Sequence, residues 1–146
     1  MSQLPSYSID VAGCDWPQLL ANWRWHEGVP AKFSPWLMNH FGELVFVKSD
    51  GSVHRLLLDE GVVEMIAADR DDFLARLESS ETANEWLLIP LVDRCVEAGL
   101  HLQPGECYGF RHPVAAGGDY AIENVVVAPL AQRFATLGEF QRVLKE

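Results

Sequence analysis

Basic residues are scarce in this chain of 146: 11 Lys and Arg stand against 21 Asp and Glu, for a net charge of −10. A protein that holds a phosphate backbone needs a basic stripe, so direct nucleic-acid binding is disfavoured. Cysteines are few, and Cys14, Cys95 and Cys107 make an odd count at irregular spacing. That argues against a disulfide framework and for a reducing, cytoplasmic setting. No apolar run reaches the roughly 18 residues that a membrane helix needs. Met1-Ser2-Gln3-Leu4-Pro5 has neither the positive start nor the apolar stretch of a secretory leader. Repeats, low-complexity tracts and linkers are missing too. With 49% hydrophobic residues the chain can bury a real core. One domain over residues 15–146 is expected, preceded by an N-terminal tail over 1–14.

Recognisable chemistry is also sparse. Gly105-Glu106-Cys107-Tyr108-Gly109 has the spacing of a nucleophile elbow with cysteine as nucleophile. An elbow must run from strand to helix, and Phe110 to Pro113 forbid a helix at that point. Cys107 therefore reads as a small packed residue. Cys95, His101, Cys107 and His112 lack the short pairs by which two metal ligands converge. Gly117-Gly118 has no Lys-Ser/Thr helix behind it to cradle a phosphate. Asp71 and Asp72 are adjacent and point apart on a helix, so they form no acid/base dyad. The expectation is no catalytic residue, no metal and no cofactor.

What is present is acid and shape. Asp59 to Glu85 holds nine acids against Arg70 and Arg76, a local charge of −7, most of the chain's total. Such a field repels nucleic acid and attracts a basic protein.

The periodicities predict an α+β domain: an antiparallel sheet with helices before, between and after the strands. Asp15-Trp16-Pro17 opens a helix to about Trp25, and Phe33, Trp36, Leu37 and Phe41 recur at helical spacing. Residues 43–47 and 53–58 flank Asp50-Gly51 as a hairpin, and 62–67 add a third strand. Asp69 caps a helix, Glu81 to Gly99 is helical with a break near Pro90, and Gly99 ends it. Later, 122–127 read as a strand, Arg133-Phe134 as part of another, and Thr136 to Glu139 as the start of a terminal helix.

The most demanding stretch runs from Gln103 to Asn124. Its glycines and prolines prescribe a backbone path, because glycine supplies φ > 0 and proline fixes φ. It reads as a loop folded over the sheet, with Tyr108, Phe110 and Tyr120 as packing anchors and Asn124 bonding loop backbone. The alternative is a small-molecule pocket walled by the same four side chains.

Asn39-His40-Phe41-Gly42-Glu43-Leu44, Asp50-Gly51, Trp86-Leu87-Leu88 and Ala98-Gly99-Leu100 together resemble a known family. So, more specifically, do Gly105, Tyr108, Phe110, Pro113, Gly117, Gly118, Tyr120 and Asn124. The family is the C-terminal domain of immunity proteins against type VI secretion DNase effectors, and the likeness runs from about Trp16 to the end. It implies a bacterial cytoplasmic antitoxin that binds and blocks a secreted nuclease, with no catalytic residues to carry over. On that basis Asp69, Asp71, Asp72, Glu78 and Glu81 are the expected contacts to a basic toxin.

Overall fold

The computed structural model describes residues 4–145. In chain order it places helix α1 (Leu4–Tyr7), strand β1 (Ser8–Ile9), helix α2 (Trp16–Leu19) and a 3-10 turn at Ala21–Trp23. Strands β2 (Ser34–Asn39), β3 (Leu44–Val47), β4 (Val53–Leu57) and β5 (Val62–Ala67) follow. Helices α3 (Arg70–Leu77), α4 (Ser80–Leu87) and α5 (Ile89–Glu97) come next, then β6 (Glu106–Phe110), β7 (Val125–Pro129) and helix α6 (Leu130–Leu144). The first five strands form one antiparallel sheet in sequence order; β6 and β7 form a separate antiparallel pair. The protein is an α+β domain.

Strand alternation divides the core. Leu44 and Phe46 of β3, Leu56 of β4 and Leu58 just after it pack with Trp23 of the 3-10 turn and with Leu130, Phe134 and Leu137 of α6. Val45, Val47 and Val53 point the other way, against Phe73 and Trp86 of α3 and α4. Successive side chains on a strand take opposite faces, so a sheet covered on both sides needs this near-continuous apolar run. The Asp50-Gly51 hairpin forms as expected: Gly51 sits at φ +89°, and Asp50 accepts from the Ser52 amide at 2.9 Å.

Several expectations are corrected. Phe33 to Phe41 is not helical; residues 34–39 are β2, and a bulge between Pro35 and Leu37 realigns the strand on β3. Pro35 lies where β1 does not reach, so its missing N–H breaks no ladder on that side. Ser8 and Ile9, within the expected tail, pair with Asn39 and Met38. The first helix is short and yields to the 3-10 turn. Arg133 and Phe134 belong to α6, which starts at Leu130 directly after Pro129, so Thr136–Glu139 lies inside the helix. Residues 122–124 are a 3-10 turn and the strand begins at Val125. Residues 106–110, read as loop, are β6.

Gly138 shows how closely α6 docks. A Cβ there would stand 2.5 Å from the Asn22 carbonyl oxygen, while the Trp25 indole donates to the Gly138 carbonyl at 3.2 Å. Alanine gains about 1 kcal/mol of helix propensity over glycine. Overpacking against backbone costs about 1–3 kcal/mol. Gly138→Ala is therefore expected to lower stability by up to about 2 kcal/mol, read from its urea midpoint; a rise in the midpoint would contradict the close approach.

Candidate partner-binding site

The acidic run divides by role. Asp69 caps α3, accepting from the Asp72 amide at 2.8 Å. Asp72 accepts from the Ala68 amide at 2.8 Å and pairs with Arg76 at 3.1 Å, and these contacts hold its carboxyl below the usual range. Both are therefore engaged in closing the helix end, where negative charge is favoured. Asp71 on α3, Glu78 at its C-cap and Glu81 on α4 are exposed. Asp59, the first of the nine acids, is not on the surface at all.

Asp59 is buried and takes a bidentate pair from Arg133, Nη1 at 3.1 Å and Nη2 at 2.8 Å. Arg133 Nη2 also donates to the Phe41 carbonyl at 2.7 Å. Gln141 completes the clamp, donating to the Asp59 carbonyl at 3.0 Å. Two glycines make room for these side chains: a Cβ on Gly109 would lie 2.7 Å from Arg133, and one on Gly61 2.5 Å from Gln141. The fork geometry of arginine suits such a pair.

The loop's aromatic side chains differ in burial: Tyr120 is 38% exposed and Phe110 half-buried. Tyr108 is buried and its hydroxyl donates to the Leu100 carbonyl. Phe110 stacks on Phe41 at 5.3 Å, and Tyr120 meets Phe110 edge-on at 5.1 Å. The Asn124 amide donates to the carbonyls of His112 and Asp119, both at 3.0 Å, and its oxygen accepts from the His112 amide at 2.9 Å. A Cβ on Gly118 would fall 2.0 Å from the His112 carbonyl, and Gly105 and Gly117 take φ of +83° and +103°. Pro113 accepts from the amides of Ala116 and Gly118, each at 3.0 Å. Tyr108, Phe110 and Tyr120 line three different clefts.

Cys107 is fully buried, and burial pushes its thiol up to about 11 although Arg133 lies nearby; Cys95 is likewise raised to about 11 by burial. Neither offers a thiolate near neutral pH. His112 faces the Ala116 carbonyl at 3.0 Å. Among the described residues, no set of three His, Cys, Asp or Glu side chains converges as metal ligands.

A second acidic group escaped the sequence reading. Asn39, buried at the end of β2, accepts from the amides of Phe41 and Glu43 at 3.0 and 3.1 Å and donates to Glu43 Oε1 at 2.8 Å. Its amide also reaches the Trp86 carbonyl at 3.0 Å, tying β2 to α4. Glu43 is thereby left only 5% exposed, and burial raises its carboxyl to about 7. A glutamate opening a strand gives no signal of this; only the placement of α4 buries it.

Compared with known families, residues 67–141 match the sequence model described as T6SS immunity protein Tdi1, C-terminal. The chain belongs to this family. The Tdi1 C-terminal match begins at the last residue of β5 and ends in α6. It covers α3 to α5, the acidic run from Asp69 and the whole Gly/Pro-rich motif. The likeness read from the sequence was wider, reaching back to about Trp16; β1 to β4 lie outside the matched stretch. No curated protein matches the chain. Among the described residues, no helix is long and apolar enough to cross a membrane.

Proposed function

We propose that this chain is a non-enzymatic immunity protein that acts in the cytoplasm, binding a basic nuclease-type toxin and blocking it by occupancy. The observation that carries the reading is the placement of acid within the family segment: Asp71 on α3, Glu78 at its C-cap and Glu81 on α4 stand exposed in the matched stretch. Inhibition by occupancy needs a stiff surface and fast capture, not a reactive group. Two-sided packing of the sheet and the Arg133–Asp59 clamp supply the stiffness. The charge supplies capture, because complementary fields raise association rates more than they deepen affinity.

Reversal of Asp71, Glu78 and Glu81 to lysine is the test. Asp69 and Asp72 are left intact because they close α3. Association with a cognate nuclease-type toxin is expected to slow about tenfold at low salt and to lose most of its salt dependence. Stopped-flow fluorescence reads both. Unchanged association at every ionic strength would remove these three acids from the interface.

A further inference from the structure

The two edges of the five-stranded sheet are built differently. At one edge, β1 is two residues long and covers only Met38 and Asn39 of β2. The uncovered part of β2 carries Pro35 and the bulge between Pro35 and Leu37. Short strands, prolines and bulges are the devices that keep a sheet edge from pairing with other chains. The opposite edge, β5, reads Val-Val-Glu-Met-Ile-Ala, without proline or lysine, and its register on β4 shifts only beyond Met65. Glu64, its single charge, is drawn back onto β4, where Arg55 Nε donates to it at 2.7 Å. Val62 and Met65 are 41% and 60% exposed, and three residues apart they lie on opposite faces of the strand. Alternate residues of an edge strand turn their N–H and C=O outward. Among the described residues, no hydrogen bond reaches the backbone of 62–67 from any element but β4. The Gly61 carbonyl just before it is taken by His26 Nε2 at 2.8 Å, so the bare length begins at Val62. Strand β7 is bare on one side too, yet Val125 to Ala128 are all at least partly covered.

We propose that β5 is a docking edge that takes an extended, lysine- or arginine-bearing segment of the toxin as a further strand of the sheet. The proposal rests on the immunity reading above and adds the mode of contact. A row of outward N–H and C=O groups is matched by one kind of ligand, an extended backbone. Main-chain hydrogen bonds hold such a segment in place, and Val62 and Met65 give its side chains apolar contact on both faces of the sheet.

Charge decides between a basic segment and a second copy of this chain. Exposed Glu60 precedes β5 and exposed Asp69 follows it. Two copies joined edge to edge about a two-fold axis pair antiparallel. Centred on β5, that pairing sets Val62 opposite Ala67 and Glu60 opposite Asp69, at both ends. Like charges directly opposite are destabilising, and each copy carries −10 overall. Nearby bases do not offset this. Arg55 is shared between Glu64 and Glu85, and Arg70 lies over the Trp36 ring at 4.9 Å, back across the sheet face. A basic segment meets the same acids as attractions.

Two arms test this. The peptide acetyl-Lys-Val-Lys-Val-Lys-amide, titrated by NMR, should shift the outward amide protons of residues 62–66 and slow their exchange about tenfold at saturation. Its fully N-methylated analogue keeps the charge and loses every strand donor; acetyl-Glu-Val-Glu-Val-Glu-amide keeps the donors and reverses the charge. Each should bind about fivefold more weakly or worse. No shift with the basic peptide, or equal binding by either analogue, would overturn the docking edge. In the second arm, the same amides should be protected in the complex with a purified cognate nuclease-type toxin. Met65→Lys, which puts a guarding charge on the edge, should weaken that complex about fivefold. Val96→Lys makes the same charge change at an exposed site on α5 and should alter it by less than about twofold. A complex that forms with residues 62–66 unprotected, or that weakens equally with both substitutions, overturns the docking edge and leaves the immunity reading standing. Protection of those amides that grows with the concentration of this protein alone makes the occupant a second copy and overturns the proposal. Absence of any wild-type complex overturns both readings.

Discussion

Arg133→Met is expected to destabilise the protein by about 3–5 kcal/mol, the cost of stranding one half of a buried ion pair. The substitution leaves the Asp59 carboxylate, 2% exposed, without its guanidinium, and the Phe41 carbonyl without its 2.7 Å donor. For a chain of this size each kcal/mol moves Tm by about 2–4 °C, so the melt should fall by about 6–20 °C. The companion double substitution, Arg133→Met with Asp59→Leu, should recover most of the loss, because replacing both partners by apolar groups removes the stranded charge. A near-neutral single variant would mean that water already solvates Asp59, and that the clamp between α6 and the β4–β5 turn contributes little.

Glu43→Gln should do the opposite. A carboxyl raised from 4.5 to about 7 in the folded state carries a stability contribution that is whole below pH 4.5. It is lost as pH rises through 7, because ionisation is easier in the unfolded chain. A difference of that size corresponds to about 3 kcal/mol. The natural protein should therefore weaken between pH 4.5 and 8 by roughly that amount from this group, and Glu43→Gln should flatten the profile. At pH 8 the variant should be about 3 kcal/mol more stable, since the carbonyl oxygen of the introduced amide can still accept from Asn39. Urea unfolding at pH 5 and pH 8 checks the sign, and a variant less stable at pH 8 refutes it.

Local chemistry explains which parts of this fold were legible. Asp50-Gly51, Asp69 and Gly99 act within a few residues of themselves, so a turn, a cap and a helix end could be read directly. The Gln103 to Asn124 segment announced constraint, and Gly118 and Asn124 meet it within one loop. Failures came where distant partners decide. Helical spacing at Phe33 to Phe41 lost to pairing with β3, and the Thr136–Glu139 capping pattern lost to a helix already started after Pro129. Asp59 counted as surface charge because Arg133, 74 residues away, is invisible to any local pattern. The burial of Glu43 was hidden for the same reason: Asn39, which holds its carboxyl, is itself tied to the Trp86 carbonyl of α4, 47 residues away. The exposed acids of α3 and α4 were named as candidates from sequence, and Glu43 was not.

Mixing the purified protein with a purified cognate nuclease-type toxin, then assaying DNA cleavage, bears most directly on the mechanism. Inhibition by occupancy predicts a stoichiometric complex in which nuclease activity disappears and returns when high salt separates the partners. Undiminished cleavage in the presence of excess protein, or loss of activity through chemical alteration of the toxin without a lasting complex, would contradict it.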